Sequence, residues 1–291
     1  MLTKVQVSPW SIWLWVQERG SKAKQKLDEE LVAMRHGQDP ELEPISHEIA
    51  ALPMVIGGDG VQVPFRRHVG SPAGKTKFQE VKVGIIARIK QFHNRRGMEV
   101  TTIKHKRLVA ILGNVDQLAE RLRLEALKQG IRTASSVVWL SDGARGLWRI
   151  FRETLSAWAI GILDFYHAAQ NIWKAASSWL DGRTNKAKEW FTQLRHTLRH
   201  GDPAAVINEV QQPLLADDLA PEARKSLANL DAYLTAHEQH LDYAYYKVLG
   251  LPIGSGMVES ACKWLIQQRF KCVGMRWSED GFNHLLHLLI A

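Results

Sequence analysis

The order of apolar segments between positions 52 and 163 is the feature that most constrains how this chain can fold. Strand-like runs occur at Leu52–Ile56, Val61–Phe65, Val81–Ala87, Arg107–Leu112, Val137–Leu140 and Ala159–Leu163. Helical periodicity appears between the later runs, over Val115–Gln129 and Leu147–Leu155. If Leu52–Phe65 is counted as one strand region, the order is three strands, a helix, a strand, a helix, a strand and a further helix.

This order predicts a mixed sheet. Three successive strands favour an antiparallel meander, whereas strands that alternate with helices favour parallel pairing. The expected fold is α/β, a ribonuclease H-like mixed sheet flanked by helices. From Ala168 to about Leu249 the pattern is helical, with breaks at Gly182, Gly201–Pro203 and Pro221. We interpret this stretch as a large all-α insertion before the helix that carries Glu259.

The N-terminal part of the chain is predicted to be helical. Ser8 is a candidate N-cap, Pro9 suits the first helical position and Gly20 is a candidate helix stop. A second helix is predicted over Ala23–Met34. We therefore expect four regions: an N-terminal helical region and linker over 1–45, a core over 46–170, the all-α insertion over 171–249 and C-terminal core helices over 250–291.

The net charge indicates an anionic partner. Lys and Arg number 38 against 30 Asp and Glu, which gives a net charge of +8. Such an excess favours nucleic acid. The two cysteines are too few for a disulfide framework or a cysteine-rich zinc site, and they fit a reducing cytosol. Neither a long apolar run nor a signal peptide is present, so no membrane association is expected.

Three carboxylates occupy positions that suit metal binding. Asp59 and Asp142 each follow an apolar run and precede a glycine, and Glu259 lies in the first turns of a helix that begins near Ser255. Carboxylates on separate rigid elements can converge to bind Mg²⁺ or Mn²⁺. Two such ions about 3.5–4 Å apart activate the attacking oxygen and stabilise the leaving oxygen in phosphodiester chemistry.

Each acidic residue also has a purely structural explanation. An Asp-Gly pair at Asp59 is typical of a hairpin turn, Asp142 is a candidate N-cap and Glu259 a candidate capping-box residue. The metal interpretation depends on the three residues occurring together on this strand order.

Histidines give a weaker signal. Asp164 ends the last strand and His167 follows three residues later, so the imidazole either contacts a phosphate or a metal-bound carboxylate, or has a structural role. His284 and His287 lie three residues apart on an apolar terminal helix. We assign them to packing, because no third ligand is near in sequence.

Spaced motifs across residues 50–290 carry a family resemblance. They are Gly57–Gly60, Glu80–Gly84, Trp139–Arg145, Leu163–Ala168, Gly250–Ser260, Gln268–Lys271 and Gly274–Trp277. Together they resemble the ISKra-type insertion-sequence transposases, bacterial relatives of the Mutator-like transposases. That family carries an Asp-Asp-Glu triad on a ribonuclease H-like fold.

The resemblance implies a role for each candidate residue. Asp59, Asp142 and Glu259 would be the catalytic triad and would bind two Mg²⁺ or Mn²⁺ ions. Asp164 and His167 match the family motif after the last strand, with His167 catalytic and Asp164 supporting. The implied reaction is hydrolysis at transposon ends to free a 3′-hydroxyl, followed by strand transfer into target DNA.

The implied partner is double-stranded DNA, as transposon ends and as target. The protein would act as a homo-oligomer on DNA, in the cytoplasm at the bacterial nucleoid. Basic residues near the triad would contact phosphates, or would form a solvated basic face. They are Arg145, Lys263, Arg269, Lys271 and Arg276. Trp277 either stacks on a base or packs in the core, and we favour the core.

Both ends depart from the family pattern. Residues 8–20 resemble only the last helix of a helix-turn-helix, and the chain stops at Ala291 within a helical pattern. We therefore expect a copy truncated at both ends, with a remnant of a DNA-binding region over 1–45. Two alternatives follow: a ribonuclease H-like nuclease or resolvase that cuts without joining, and an inactive remnant that binds DNA.

Overall fold

The computed structural model describes residues 7–67, 76–93, 95–97 and 99–291. Five strands among them form one sheet. Its strands are β1 Met54–Phe65, β2 Lys77–His93, β3 Glu99–Leu112, β4 Val137–Ser141 and β5 Ile160–Leu163. Hydrogen bonds order them β3-β2-β1-β4-β5. β1 pairs with β2 antiparallel, and β4 pairs with β5 parallel. The predicted mixed sheet is confirmed, and it agrees with a ribonuclease H-like arrangement.

Helices lie before, between and after these strands in the chain. They are α1 Pro9–Arg35, α2 His47–Ala50, α3 Val115–Lys128, α4 Arg145–Ile150, α5 Phe165–Leu180, α6 Asn185–His200, α7 Pro203–Gln211, α8 Pro221–Thr235, α9 Tyr243–Val248, α10 Gly256–Ala261, α11 Gln268–Phe270 and α12 Glu279–Ile290. π-Helical turns follow α4 at Phe151–Leu155 and α10 at Cys262–Gln267. The stretch between β5 and α10 is helical as expected, while its interpretation as an insertion stays a prediction.

Local sequence signals explain the ends of α3. Asn114 is the N-cap, and its side chain and that of Gln117 satisfy each other's backbone N–H groups in a capping box. At the other end Gly130 adopts a φ of 63°, a left-handed conformation that favours glycine and stops the helix. The predicted helix over Val115–Gln129 is confirmed to within one residue.

Asp59 does not end a strand, although the apolar run before it and the glycine after it indicated a strand end or a hairpin turn. β1 is one continuous strand, and Asp59 lies opposite Val83 in its interior rather than at its end. The glycines around Asp59 do not turn the chain, because β2 provides pairing partners along the whole of Met54–Phe65. Glycine at Gly84, opposite Gly58, leaves room for a helix: a β-carbon there would lie 2.7 Å from Leu122 Cδ2 of α3.

The predicted helix stop at Gly20 is also wrong. Ser8 caps α1 and Pro9 opens it as expected, but the helix continues to Arg35 and includes Ala23–Met34. Gly20 is buried, and a β-carbon there would lie 2.0 Å from the backbone oxygen of His284 in α12. The glycine therefore permits close packing of two helices and does not end one.

Histidines of α12 take part in packing, as the sequence interpretation proposed. His284 Nδ1 lies 2.6 Å from Gln17 Oε1 of α1. His287 is buried, its Nδ1–H donates to the carbonyl of Asn283 over 2.6 Å, and its Nε2 accepts from Arg121 Nη1 over 2.9 Å.

Backbone contacts divide the chain into two compact units. The first comprises residues 1–90, 103–137 and 256–291, and the second comprises residues 91–102 and 138–255. Fully buried side chains in the first unit include Val55, Ile86 and Leu118, and in the second they include Trp139 and Ile172. The four regions expected from the sequence stay a prediction. Within the ranges that the structure describes, no helix has the length and apolarity needed to cross a bilayer.

Candidate active site

Asp59 belongs to the first unit and is held at two points. It is half-buried in β1, and its Oδ1 accepts a hydrogen bond from the backbone N–H of Gly60 over 2.6 Å. The thiol of Cys262, from the turn that follows α10, lies 3.8 Å from Asp59 Oδ2 and donates toward it. The carboxylate is therefore fixed between its own strand and the helix that carries Glu259.

Cys262 is a buried thiol beside Asp59, on the helical run that also carries Glu259. Burial raises the pKa of its thiol to about 12, and the negative charges of Asp59 and then Glu259 contribute in the same direction. The thiol therefore stays protonated at neutral pH and acts as a donor. The sequence interpretation did not include Cys262, because a single cysteine on the apolar side of a helix resembles an ordinary core residue.

Glu259 lies on the exposed side of its helix. Its side chain is exposed, and its carboxylate forms no hydrogen bond or ion pair with any residue that the structure describes. Such a carboxylate is free to bind a cation or to orient a substrate. The capping-box alternative is not supported, because that arrangement requires the glutamate to bond back to the helix start.

The π-helical turn shapes this exposed side. Exposed residues occur in adjacent pairs, and a new pair begins every four positions. The pairs are Glu259 and Ser260, Lys263 and Trp264, and Gln267 and Gln268. In an α-helix of 3.6 residues per turn, residues four positions apart are rotated from each other by about 40° around the helix axis. The π-helical hydrogen bonds of Cys262–Gln267 span five residues and enlarge the turn, so this rotation is smaller. One continuous surface results, which we call the Glu259 face.

The predicted DNA-contacting residues of this unit differ in their surroundings. Lys263 is exposed on the Glu259 face, and Lys271 and Arg276 are exposed beyond α11. Arg269 is half-buried: its guanidinium lies 4.0 Å from the ring centre of Trp264 and donates to the backbone oxygen of that residue. Their contacts with DNA stay predictions.

Trp277 is half-buried and packs against the core residue Phe270, which supports the packing role favoured above. Its ring meets that of Phe270 at 5.1 Å in an edge-to-face arrangement, and its Nε1–H donates to the Phe270 carbonyl over 3.0 Å. Its backbone oxygen accepts from the N–H of Arg66 over 2.7 Å. These contacts fix the position of the Trp277 side chain against the first unit's core.

Asp142 belongs to the second unit and directly follows β4. Its Oδ1 accepts a hydrogen bond from the backbone N–H of Ala144 over 3.0 Å, and its carbonyl accepts from Trp148 Nε1 over 2.6 Å. Ala144 takes the N-cap position of α4, so Asp142 braces the turn ahead of the helix. Arg145, the first residue of α4, is exposed. This is the strand-end position that the sequence predicted.

Tyr233 of α8 lies next to Asp142. A β-carbon on Gly143 would lie 2.1 Å from the Tyr233 ring, so this position needs glycine. Burial raises the pKa of the phenol, and the charge of Asp142 adds to the rise. Tyr233 therefore stays a neutral phenol beside the carboxylate. No local pattern could have identified it, because the all-α stretch separates it from Asp142 in sequence.

Asp164 has a structural role in the second unit. It is buried, caps α5 by accepting from the His167 backbone N–H over 2.7 Å, and accepts from the backbone N–H of Ser255. Burial alone would raise the pKa of its carboxyl, but hydrogen bonds from His167 and Ser255 outweigh burial and lower it. His167 Nδ1 lies 3.3 Å from Asp164 Oδ1. Asp164 therefore ties the start of α5 to Ser255, within the second unit.

The candidate carboxylates thus form two groups. Asp59 lies beside Cys262 in the first unit, with Glu259 on the same helical run as Cys262, and Asp142 lies with Tyr233 in the second unit. Over the described ranges, no group of three or more His, Cys, Asp or Glu side chains is placed to hold a metal ion. The donor chemistry of Asp59 and Glu259 suits Mg²⁺ or Mn²⁺, since both offer carboxylate oxygens. A complete metal centre stays a prediction.

Comparisons with known proteins give little guidance. No protein-family model matches the chain, and no curated protein matches it. Among solved structures it is similar to the "Drosophila P element transposase strand transfer complex", with a TM-score of 0.29 and 9% identity over 98% of this chain and 78% of that chain. A TM-score this low supports no inference about activity, so any functional assignment depends on the residues described above.

Proposed function

We propose that this protein is a DNA transposase of the ISKra type, which hydrolyses phosphodiester bonds at element ends and joins the freed 3′-hydroxyl to target DNA. The observation that carries the proposal is the contact of the Glu259-bearing helical run with Asp59, where Cys262 Sγ lies 3.8 Å from Asp59 Oδ2, beside an exposed face that presents Glu259 and Lys263. Carboxylates beside a basic exposed face, within a chain of net charge +8, suit chemistry on a polyanion.

Asp59, Asp142 and Glu259 would hold the divalent cations in this proposal. When bound, two such ions would activate the attacking oxygen and stabilise the leaving oxygen. Support comes from the hard oxygen donors, from the unpaired and exposed carboxylate of Glu259, and from the strand-end position of Asp142.

The chain's own residues would position the carboxylates and the DNA. The Cys262 thiol restrains Asp59, and Tyr233 packs against the turn after Asp142. Lys263 and Arg145, both exposed, would contact phosphate oxygens beside the two groups of carboxylates.

A cleavage and joining assay tests the proposal. The purified protein would be incubated with Mg²⁺ or Mn²⁺ and a plasmid that carries the repeats flanking its own coding sequence. We expect nicks that leave 3′-hydroxyls at the repeat ends, together with joined products. Nicks without joined products would indicate the nuclease alternative, and DNA binding without nicks would indicate the inactive remnant. Either result would contradict the proposed activity.

A further inference from the structure

Trp264 is an exposed aromatic residue on the Glu259 face. Its side chain is 46% exposed, although the neighbouring apolar residues Leu265 and Ile266 are fully buried. A core role therefore does not explain this tryptophan. It follows Lys263 directly and lies five residues after Glu259 on the same helical run. A large apolar surface is thus presented to solvent beside a candidate catalytic carboxylate.

Two cations hold the indole of Trp264. The guanidinium of Arg269 lies 4.0 Å from the ring centre, and Lys106 Nζ of β3 lies 5.8 Å from it. Arg269 reaches the ring because the π-helical turn brings positions five apart together, and it also donates to the Trp264 backbone oxygen. Cation–π contacts restrain the ring and concentrate positive charge around it.

An aromatic plane surrounded by cations suits an unpaired nucleotide. A base stacks on an aromatic face regardless of its identity, while Lys and Arg bind the adjacent phosphates. Fully paired DNA cannot use such a platform, because its bases are already stacked within the duplex. Lys263, Arg269 and Lys106 supply the positive charge here, so the surface favours single-stranded DNA over a protein partner.

We propose that Trp264 stacks on an unpaired base at a DNA end and positions that end beside Glu259. The proposal rests on the proposed DNA function and adds a recognition site to it. Arg269 would be a positioning residue that holds the indole, and Lys106 and Lys263 would contact the phosphates next to the stacked base. The substrate it implies is a frayed or overhanging end and not an uninterrupted duplex.

Fluorescence anisotropy with two labelled DNA probes tests the proposal. One probe is a blunt duplex, and the other is the same duplex with a short single-stranded 3′ overhang. We expect the native protein to prefer the overhang, and Trp264→Ala to weaken overhang binding by about 5- to 150-fold, the range expected for loss of one stacked base. Blunt-duplex binding should stay unchanged. Trp264→Phe should keep most of the preference, because it keeps an aromatic face.

A matched control is available in Trp158, which is 42% exposed in the second unit. Trp158→Ala should leave binding of both probes unchanged. Full overhang preference in Trp264→Ala, or equal weakening of both probes, would overturn the stacking proposal and leave the proposed function standing. Failure of the native protein to bind either probe would overturn the proposed function itself, and the stacking proposal with it.

Discussion

Asp142→Asn is expected to reduce DNA cleavage and joining by about a thousandfold while leaving DNA binding intact. A carboxylate that holds a catalytic cation contributes several kcal/mol to transition-state stabilisation, and each 1.36 kcal/mol corresponds to tenfold in rate. The substitution should not disturb the fold. Asparagine retains the side-chain oxygen that accepts from the Ala144 backbone N–H, so the turn before α4 keeps its brace. Rates would be measured under single-turnover conditions, and binding by anisotropy.

Asp218→Asn provides the matched control, because it makes the same charge change at an exposed aspartate of the second unit and should have no effect. Asp59→Asn and Glu259→Gln are expected to match the loss in Asp142→Asn. Wild-type cleavage in Asp142→Asn would refute its catalytic role. If Glu259→Gln alone retained full activity, the assignment of that residue would be wrong.

Acid should destabilise the first unit through His287. Burial lowers the pKa of this imidazole to about 4 from an ordinary 6.5, and the nearby charges of Arg121 and Lys24 add to the effect. Geometry explains why: Nδ1–H already donates to the Asn283 carbonyl, and Nε2 must stay unprotonated to accept from Arg121. A second proton on the ring would make Nε2 a donor, so that it would face the Arg121 donor and bring the charge of the imidazolium against that of the guanidinium.

The sign of the pH dependence follows from that lowered pKa. Between pH 6.5 and about 4 the unfolded chain binds a proton at this position and the folded chain does not, so acid favours unfolding in that window. The expected loss is about 3 kcal/mol in the free energy of unfolding once the pH is below 4, at 1.36 kcal/mol per pKa unit. Urea denaturation at a series of pH values measures it.

His287→Gln should remove this part of the acid sensitivity, because a glutamine oxygen can accept from Arg121 but does not titrate. His196→Gln, at an exposed histidine of α6, serves as the control and should unfold like the native protein across the same pH range. An unchanged pH dependence in His287→Gln would contradict the neutral, buried state that the structure indicates.

Local patterns predicted the elements of this fold well where residues close in sequence determine the structure. Helical periodicity predicted α3 to within one residue, and the apolar run Val137–Leu140 predicted that Asp142 follows β4. Such signals depend on nearby residues alone and can be read from the sequence.

Contacts between distant segments decided the features that sequence missed. Gly57–Gly60 resembles a turn, yet pairing with β2 keeps β1 straight through Asp59. Gly20 resembles a helix stop, yet it serves the packing of α1 on His284. Tyr233 and Cys262 adjoin candidate carboxylates only because the fold brings them there, and the π-helical turn that forms the Glu259 face has no sequence signature.

Iron-directed cleavage of the polypeptide tests the central claim most directly, namely that Asp59, Asp142 and Glu259 bind the same metal centre. Fe²⁺ bound in place of Mg²⁺, with ascorbate and peroxide, generates radicals that cut the backbone near the ion. We predict cuts beside all three residues, suppressed by excess Mg²⁺ and lost at every position in Asp142→Asn. Cuts near Asp59 and Glu259 without one near Asp142, or no specific cuts at all, would contradict a shared metal centre.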